Sequence, residues 1–286
     1  MFLEELGLSS EGKCPMRFKR IFTAILLMAS CVVSANVQLT VSLDKVVSVV
    51  SLIDYAPYVF VDGSKAVEGV SSTQKNTDLV KGYSWEVFQE SFYAMGYSIK
   101  YTIVPWSRAI KILEFGHAEL LFPMSKSDER LKKYNYSREP VNTVDYVIYS
   151  HKNASLKWKG FNSLSEKIIG EKRGFNYGKN WNALSDVIKY QIGNISNGFQ
   201  MLQKGHINGF IGYKDSWDYV LKEEGLEGEF IKTPIIGSSS EYVVSMKDRG
   251  QHSDLLEVYS QGKRKIIENG IVDKLKAKWF VVNQAK

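Results

Sequence analysis

From residue 46 onward, short β-branched runs alternate with stretches whose apolar residues recur at helical spacing, and this alternation restricts the chain more than any other feature. Residues 46–53 read as a buried strand, and Asp54-Tyr55-Ala56-Pro57-Tyr58 interrupts it, since proline ends strand pairing. The polar stretch 62–81 reads as a loop with room for a short hairpin. Ser84 is placed to cap a helix whose face carries Trp85, Phe88, Phe92 and Met95, with Gly96 closing it. Ile99, Tyr101 and Ile103 alternate as a strand, residues 107–115 form a helix closed by Gly116, and 120–122 form a short strand. The pattern resumes after Val144. It predicts strands at 146–149, 167–171, 209–212, 230–231 and 242–245, and helices at 180–190, 198–204, 216–223, 255–268 and 271–279. Such alternation predicts an α/β fold with a largely parallel sheet.

One internal echo bears on organisation. Leu113-Glu-Phe-Gly116-His117-Ala-Glu119-Leu-Leu-Phe122 resembles Leu202-Gln-Lys-Gly205-His206-Ile-Asn208-Gly-Phe-Ile211, 89 residues later. In each, a helix ends at glycine and a strand begins about three residues on. Two similar α/β lobes are one reading, and chance recurrence of a common helix-to-strand turn is the other. Two copies do not make a solenoid, which needs at least three.

The N-terminus reads as an export signal. Arg17, Lys19 and Arg20 precede an apolar run at 21–33, shorter than the ~20 residues a membrane span requires. Val33-Ser34-Ala35 supplies small residues for cleavage after Ala35, which makes Asn36 the mature start; an uncleaved anchor or a buried helix is the alternative. Met16 is an alternative start, and Met28-Ala29-Ser30-Cys31 loosely matches a lipoprotein box that would place a lipid on Cys31. Cys14 and Cys31 both fall in the removed segment, so the mature chain has no disulfide or thiolate chemistry. Its formal charge drops from +6 to +5, because 1–35 carries four cations and three anions. That mild excess, spread along the chain, is no nucleic-acid footprint.

Catalytic signatures are scarce. His117, His151, His206 and His252 are dispersed, so no metal-ligand cluster is visible, and no cofactor fingerprint appears. Gly174-Phe-Asn-Tyr-Gly178-Lys179-Asn180 is one residue short of a phosphate loop and lacks its Ser/Thr. No Gly-x-Ser-x-Gly turn is present. Paired carboxylates from distant segments stay open.

A set of landmarks runs through the chain in order. They are Tyr55-Ala56-Pro57-Tyr58, Gly82-Tyr83-Ser84-Trp85-Glu86, Val104-Pro105-Trp106-Ser107-Arg108, and Leu113-x-x-Gly116-x-x-Glu119. Then come Ser125-Lys126-Ser127-Asp128-Glu129-Arg130, Tyr136-Ser137, Asn269-Gly270-Ile271-Val272-Asp273-Lys274-Leu275 and Lys278-Trp279-Phe280. In this order the mature chain resembles extracellular solute-binding proteins of family 3, which include periplasmic amino-acid receptors of ABC importers. The resemblance covers about 47–280. It implies a two-lobed type II periplasmic-binding-protein-like fold, two α/β lobes joined by two crossing strands. Lobe 1 would be 36–143 plus 241–286, lobe 2 would be 144–240, and the lobes would close around a ligand by hinge rotation.

The resemblance also implies site residues. Arg130 matches the arginine that grips a ligand carboxylate, a role suited to a planar, permanently charged fork. Ser125 matches a hydroxyl contact beside it. Trp106 and Tyr55 match aromatic walls around the ligand. Arg108, two residues after Trp106, is a further candidate facing the cleft. Gly174, Phe175 and Asn176 match the lobe 2 loop that closes over the ligand. One departure stands out. Where amino-acid receptors carry an acid for the ligand ammonium, this chain has Tyr213, with Asp215 two residues on. Either Asp215, Glu241 or another acid compensates, or the ligand is not a standard α-amino acid.

The implied function is capture of a small polar, carboxylate-bearing solute for the membrane permease of an ABC importer, by a non-enzymatic monomer with no cofactor. The alternatives are a sensing module acting in trans on a membrane receptor, and a dehydratase-like enzyme using Glu86 or Glu119 with Arg130.

Overall fold

The computed structural model describes residues 45–73, 77–154 and 156–281. The export signal at 1–35, the alternative start at Met16 and the lipid site at Cys31 lie outside the described residues. No helix among the described residues is long and apolar enough to cross a membrane.

The chain opens with β1 (Val46–Leu52) and the small hairpin β2 (Asp54–Tyr55) and β3 (Val59–Phe60). Then follow β4 (Val67–Ser71), α1 (Tyr83–Tyr93), β5 (Ser98–Val104), α2 (Trp106–Glu114), β6 (Leu120–Ser125), the single turn α3 (Arg130–Lys133), β7 (Tyr134–Tyr136) and the long β8 (Asn142–His151). The second half runs β9 (Ile168–Lys172), α4 (Gly178–Asn182), β10 (Ile188–Ile192), α5 (Ile195–Gln203), β11 (Gly209–Tyr213), α6 (Lys214–Glu223), β12 (Phe230–Lys232) and β13 (Gly237–Met246). It closes with α7 (Ser253–Glu268) and α8 (Ile271–Lys276).

The sheet order is β10-β9-β11-β8-β13-β6-β1-β5-β4, with β12 added to β8 and β7 to β13. Two parallel nuclei stand out: β1 between β5 and β6, and β9 between β10 and β11. Between them run β8 and β13, paired antiparallel from Asn142↔Glu241 to Tyr146↔Gly237. Two α/β groups joined by two crossing strands are thus built into one path of hydrogen-bonded strands. The sheet is mixed, not largely parallel, because β8 pairs antiparallel with β11 and β13, and β4 with β5.

The first helix shows how the core is assembled. Trp85, Phe88 and Phe92 are buried, and Phe88 stacks on Phe122 of β6 at 4.2 Å with the rings nearly parallel. Burial of each such side chain is worth roughly 1.5–3 kcal/mol. Against α1 lies α7, so close at Gly262 that a Cβ there would sit 1.9 Å from the Ser91 carbonyl. The start of α1 differs from the expected Ser84 cap. Gly82 precedes the helix with φ 122°, and the N–H groups of Tyr83, Ser84 and Trp85 donate to the carbonyls of Pro57 and Tyr58. Backbone from the β2–β3 turn caps the helix, which frees the Ser84 hydroxyl to donate to Asn142 Oδ1 at 3.1 Å.

Two other expectations are corrected. The helix expected at 180–190 is a five-residue turn, α4, followed by β10, whose backbone pairs in parallel with β9. Tertiary strand pairing overrides the local pattern there. The polar stretch 62–81 contributes β4, which pairs with β5. The internal echo holds in three dimensions. Gly116 and Gly205 both take positive φ, 80° and 72°. Glu119 Oε2 accepts the Ser48 N–H of β1 at 2.7 Å, and Asn208 Oδ1 accepts the Ile168 N–H of β9 at 2.9 Å.

Candidate functional site

β6 ends at Ser125, and the chain turns through 126–129 into α3, whose first residue is Arg130. That short turn folds the guanidinium back on the strand end. Nη1 donates to the Ser125 carbonyl at 3.0 Å and to its hydroxyl at 2.9 Å. Nη2 donates to the carbonyl of Gly174 at 2.9 Å, just past the end of β9. Trp106, at the start of α2, donates its indole N–H to the same carbonyl at 3.2 Å. The Gly174 turn requires glycine: φ is 77°, and a Cβ would lie 3.0 Å from the Trp106 ring.

Aromatic rings close the other walls. Tyr55 lies edge-on to Phe175 at 5.6 Å and 5.9 Å from Tyr213, while Phe175 and Tyr213 are 5.0 Å apart. The Tyr213 hydroxyl donates to the Asn176 carbonyl at 2.9 Å, which ties β11 to the loop. The Asn176 side chain donates to the Lys126 carbonyl at 3.0 Å and so bridges to the Arg130 turn.

The structure therefore brings Arg130, Ser125, Trp106, Tyr55, Gly174 and Phe175 around one cavity, with Asn176 bonded to its rim. Arg108 is not part of it. Two positions along a helix turn roughly 200° around the axis, so its side chain leaves the Trp106 face, and it is exposed. The cavity is about 10 Å³, room for about one water. Gly174 and Phe175 form part of its lining.

Glu241 on β13 is the residue the landmarks did not single out for the site. It lines the cavity, is 4% exposed, and one of its carboxyl oxygens accepts from Tyr55 Oη and Asn142 Nδ2, both at 2.8 Å. Burial pushes its carboxyl up to about 7, while the bonds from Asn142 and Tyr55 and the charge of Arg130 oppose the rise. A signal existed in the sequence: an acid inside the otherwise uncharged run Gly237–Ser245. Asp215 is engaged elsewhere, accepting from Tyr58 Oη at 3.1 Å and pairing with Lys214 at 2.9 Å, outside the cavity lining. A further contact between the two groups is the buried Lys172 ammonium of β9 on Asp54 of β2.

The acids considered for catalysis are also elsewhere. Glu119 caps β1, Glu86 pairs with Lys278 at 2.7 Å, and neither lines the cavity. His117 and His206 are exposed in their glycine turns, and among the described residues no group of three metal-ligating side chains is present.

The family model for bacterial extracellular solute-binding proteins, family 3, matches residues 47–282. The chain belongs to this family. Among solved structures, this family 3 protein is similar to a mutant of ArgBP from T. maritima, with 18% identity over 83% of this chain and 96% of that one and a TM-score of 0.67. It is similar to the same degree, TM-score 0.67, to a histidine kinase sensor domain with similarity to periplasmic binding proteins; that match has 17% identity and covers 82% and 96% of the two chains. A third is the substrate-binding protein of an amino acid ABC transporter, with 18% identity, coverage of 83% and 100%, and a TM-score of 0.66. At these identities the structures share the fold, the two-lobed type II arrangement. No curated protein matches the sequence.

Proposed function

We propose that this family 3 protein captures a small, polar, carboxylate-bearing solute between lobe 1 (36–143 and 241–286) and lobe 2 (144–240). It does so in the periplasm and hands the solute to the membrane permease of an ABC importer. The observation that carries this reading is Arg130. Its guanidinium faces the cavity beside the Ser125 hydroxyl and already holds an acceptor, the Gly174 carbonyl, from across the cleft. A carboxylate is a stronger acceptor than a neutral carbonyl, since charge-assisted bonds are roughly twice as strong. With so little free volume, the solute enters by opening of the cleft, takes the fork of Arg130 and the hydroxyl of Ser125, and lets Gly174, Phe175 and Asn176 close over it. Trp106 and Tyr55 form the walls.

Glu241 supplies what Tyr213 does not. Its buried carboxylate lines the same cavity, so a solute with an ammonium group pairs its cation there and its carboxylate with Arg130. Structural neighbours named as ArgBP and as an amino acid transporter component support an amino-acid-like solute. The sensor-domain neighbour supports a second reading, in which the same capture is reported to a membrane receptor. Thermal-shift screening of amino acids, small peptides and organic acids tests the proposal. Stabilisation by a carboxylate-bearing compound, lost in Arg130→Ala, is expected. An Arg130→Ala variant that binds as tightly as wild type removes the anchor.

A further inference from the structure

Outside the cleft cavity, a groove of about 510 Å³ lies between α7, α8 and the first residues of β8. This is within the size range of small-molecule sites. Lys263 of α7 lines it and is 5% exposed. Among the described residues it has neither an ion pair nor a hydrogen-bond partner. The acids that line the groove each have their own cation: Glu139 pairs with Arg264 at 3.4 Å, Asp215 with Lys214 at 2.9 Å, and Asp273 with Lys276 at 4.0 Å. Among the described residues, Lys263 is the groove cation without a direct ion pair. Burial, with a contribution from Lys276, pushes its amine down to about 8, and Glu139 opposes this. The stem of Lys263 is buried, while its amine opens onto the groove, where it has no direct hydrogen-bond partner among the described residues.

We infer that this groove is a second binding site, which takes a small and largely apolar carboxylic acid. The carboxylate pairs with the Lys263 ammonium, and Lys276 stands at the rim. The apolar body packs on Val141, Ile267, Val272 and Phe280. Asn142 also lines the groove, and its amide donates to Glu241, so one side chain adjoins both this site and the cleft.

Benzoate is the probe, with benzamide as its uncharged counterpart. The full chain carries ¹³C-lysine, and the Lys263 Cε signal is assigned by its loss in Lys263→Met or, independently, in Lys263→Arg. Saturable benzoate binding is expected to shift that signal and to raise the apparent pKa of Lys263 by about one unit or more, as an adjacent anion favours the charged form. Benzamide leaves both unchanged. In an Arg130→Ala chain, a signal that does not saturate through the millimolar range, or a pKa that stays put while benzoate binds, overturns the inference. So does benzoate binding of equal strength in Arg130→Ala and in Arg130→Ala/Lys263→Met, chains whose cleft has lost its carboxylate anchor. The Arg130→Ala titration decides even if Lys263→Met folds poorly, and with the cleft anchor removed its result is separate from what the cleft binds.

Discussion

The Nη2 of Arg130 and the carbonyl of Gly174 meet at 2.9 Å, joining the turn after β6 to the turn after β9. In the proposed function the pair is both anchor and gate of the cleft, because the group that would hold a solute carboxylate is held by the loop that would yield to it. Arg130→Ala is therefore expected to weaken solute binding by about 2–5 kcal/mol, roughly 30-fold to several thousand-fold. Arg130→Lys recovers only part, since an ammonium has no fork. Isothermal titration with the ligand found by screening measures both.

Gly174→Ala puts a side chain at φ 77° and 3.0 Å from the Trp106 ring. The backbone strain alone is about 1–2 kcal/mol. Melting temperature should fall and solute affinity with it, because in the proposed function this turn closes over the solute. Unchanged stability and affinity would show that the turn is not held in this conformation.

Glu241 gives a pH signature with a definite sign. Its folded value near 7 lies above the ordinary 4.5, so the folded chain keeps a proton the unfolded chain releases. This contribution is full below pH 4.5 and is lost as pH rises through 7, by up to about 3 kcal/mol. Denaturant unfolding at pH 5 and 7.5 should show that fall in wild type and less of it in Glu241→Gln. Solute affinity moves the other way. An ammonium needs the carboxylate, so binding weakens as pH drops below 7, and the variant lacks this dependence.

Asn208→Ala strands the Ile168 N–H at the start of β9 and should destabilise the protein by about 1–3 kcal/mol, with solute affinity unchanged. Asn208→Asp keeps an acceptor and should lose less. Chemical denaturation of both variants tests whether the position repeats the strand-capping part played by Glu119 at β1.

How much of this was legible in the sequence depended on whether the cause was local. Helix α2 and the glycine turns at 116 and 205 follow from nearby residues, and their positions agree with the structure. The start of α1 did not, because its cap is backbone from residues 57–58, which no side-chain pattern records. Residues 188–192 form a strand because β9 offers an edge, a tertiary cause. In the site, Arg130, Ser125 and Trp106 sit at element ends beside recognisable landmarks. Arg108, open between a cleft-facing and a solvent-facing role, is exposed, because the helical rotation between it and Trp106 turns it off that face. Glu241 was no more than one of several candidate acids, because its burial depends on Tyr55 and Asn142, each about a hundred residues or more away.

A crystal structure of the protein with its screened solute tests the central claim most directly. The account predicts a carboxylate on the Arg130 guanidinium and the Ser125 hydroxyl, with the Gly174 carbonyl displaced from Nη2. A solute bound away from Arg130, with the Arg130–Gly174 bond intact, would contradict it.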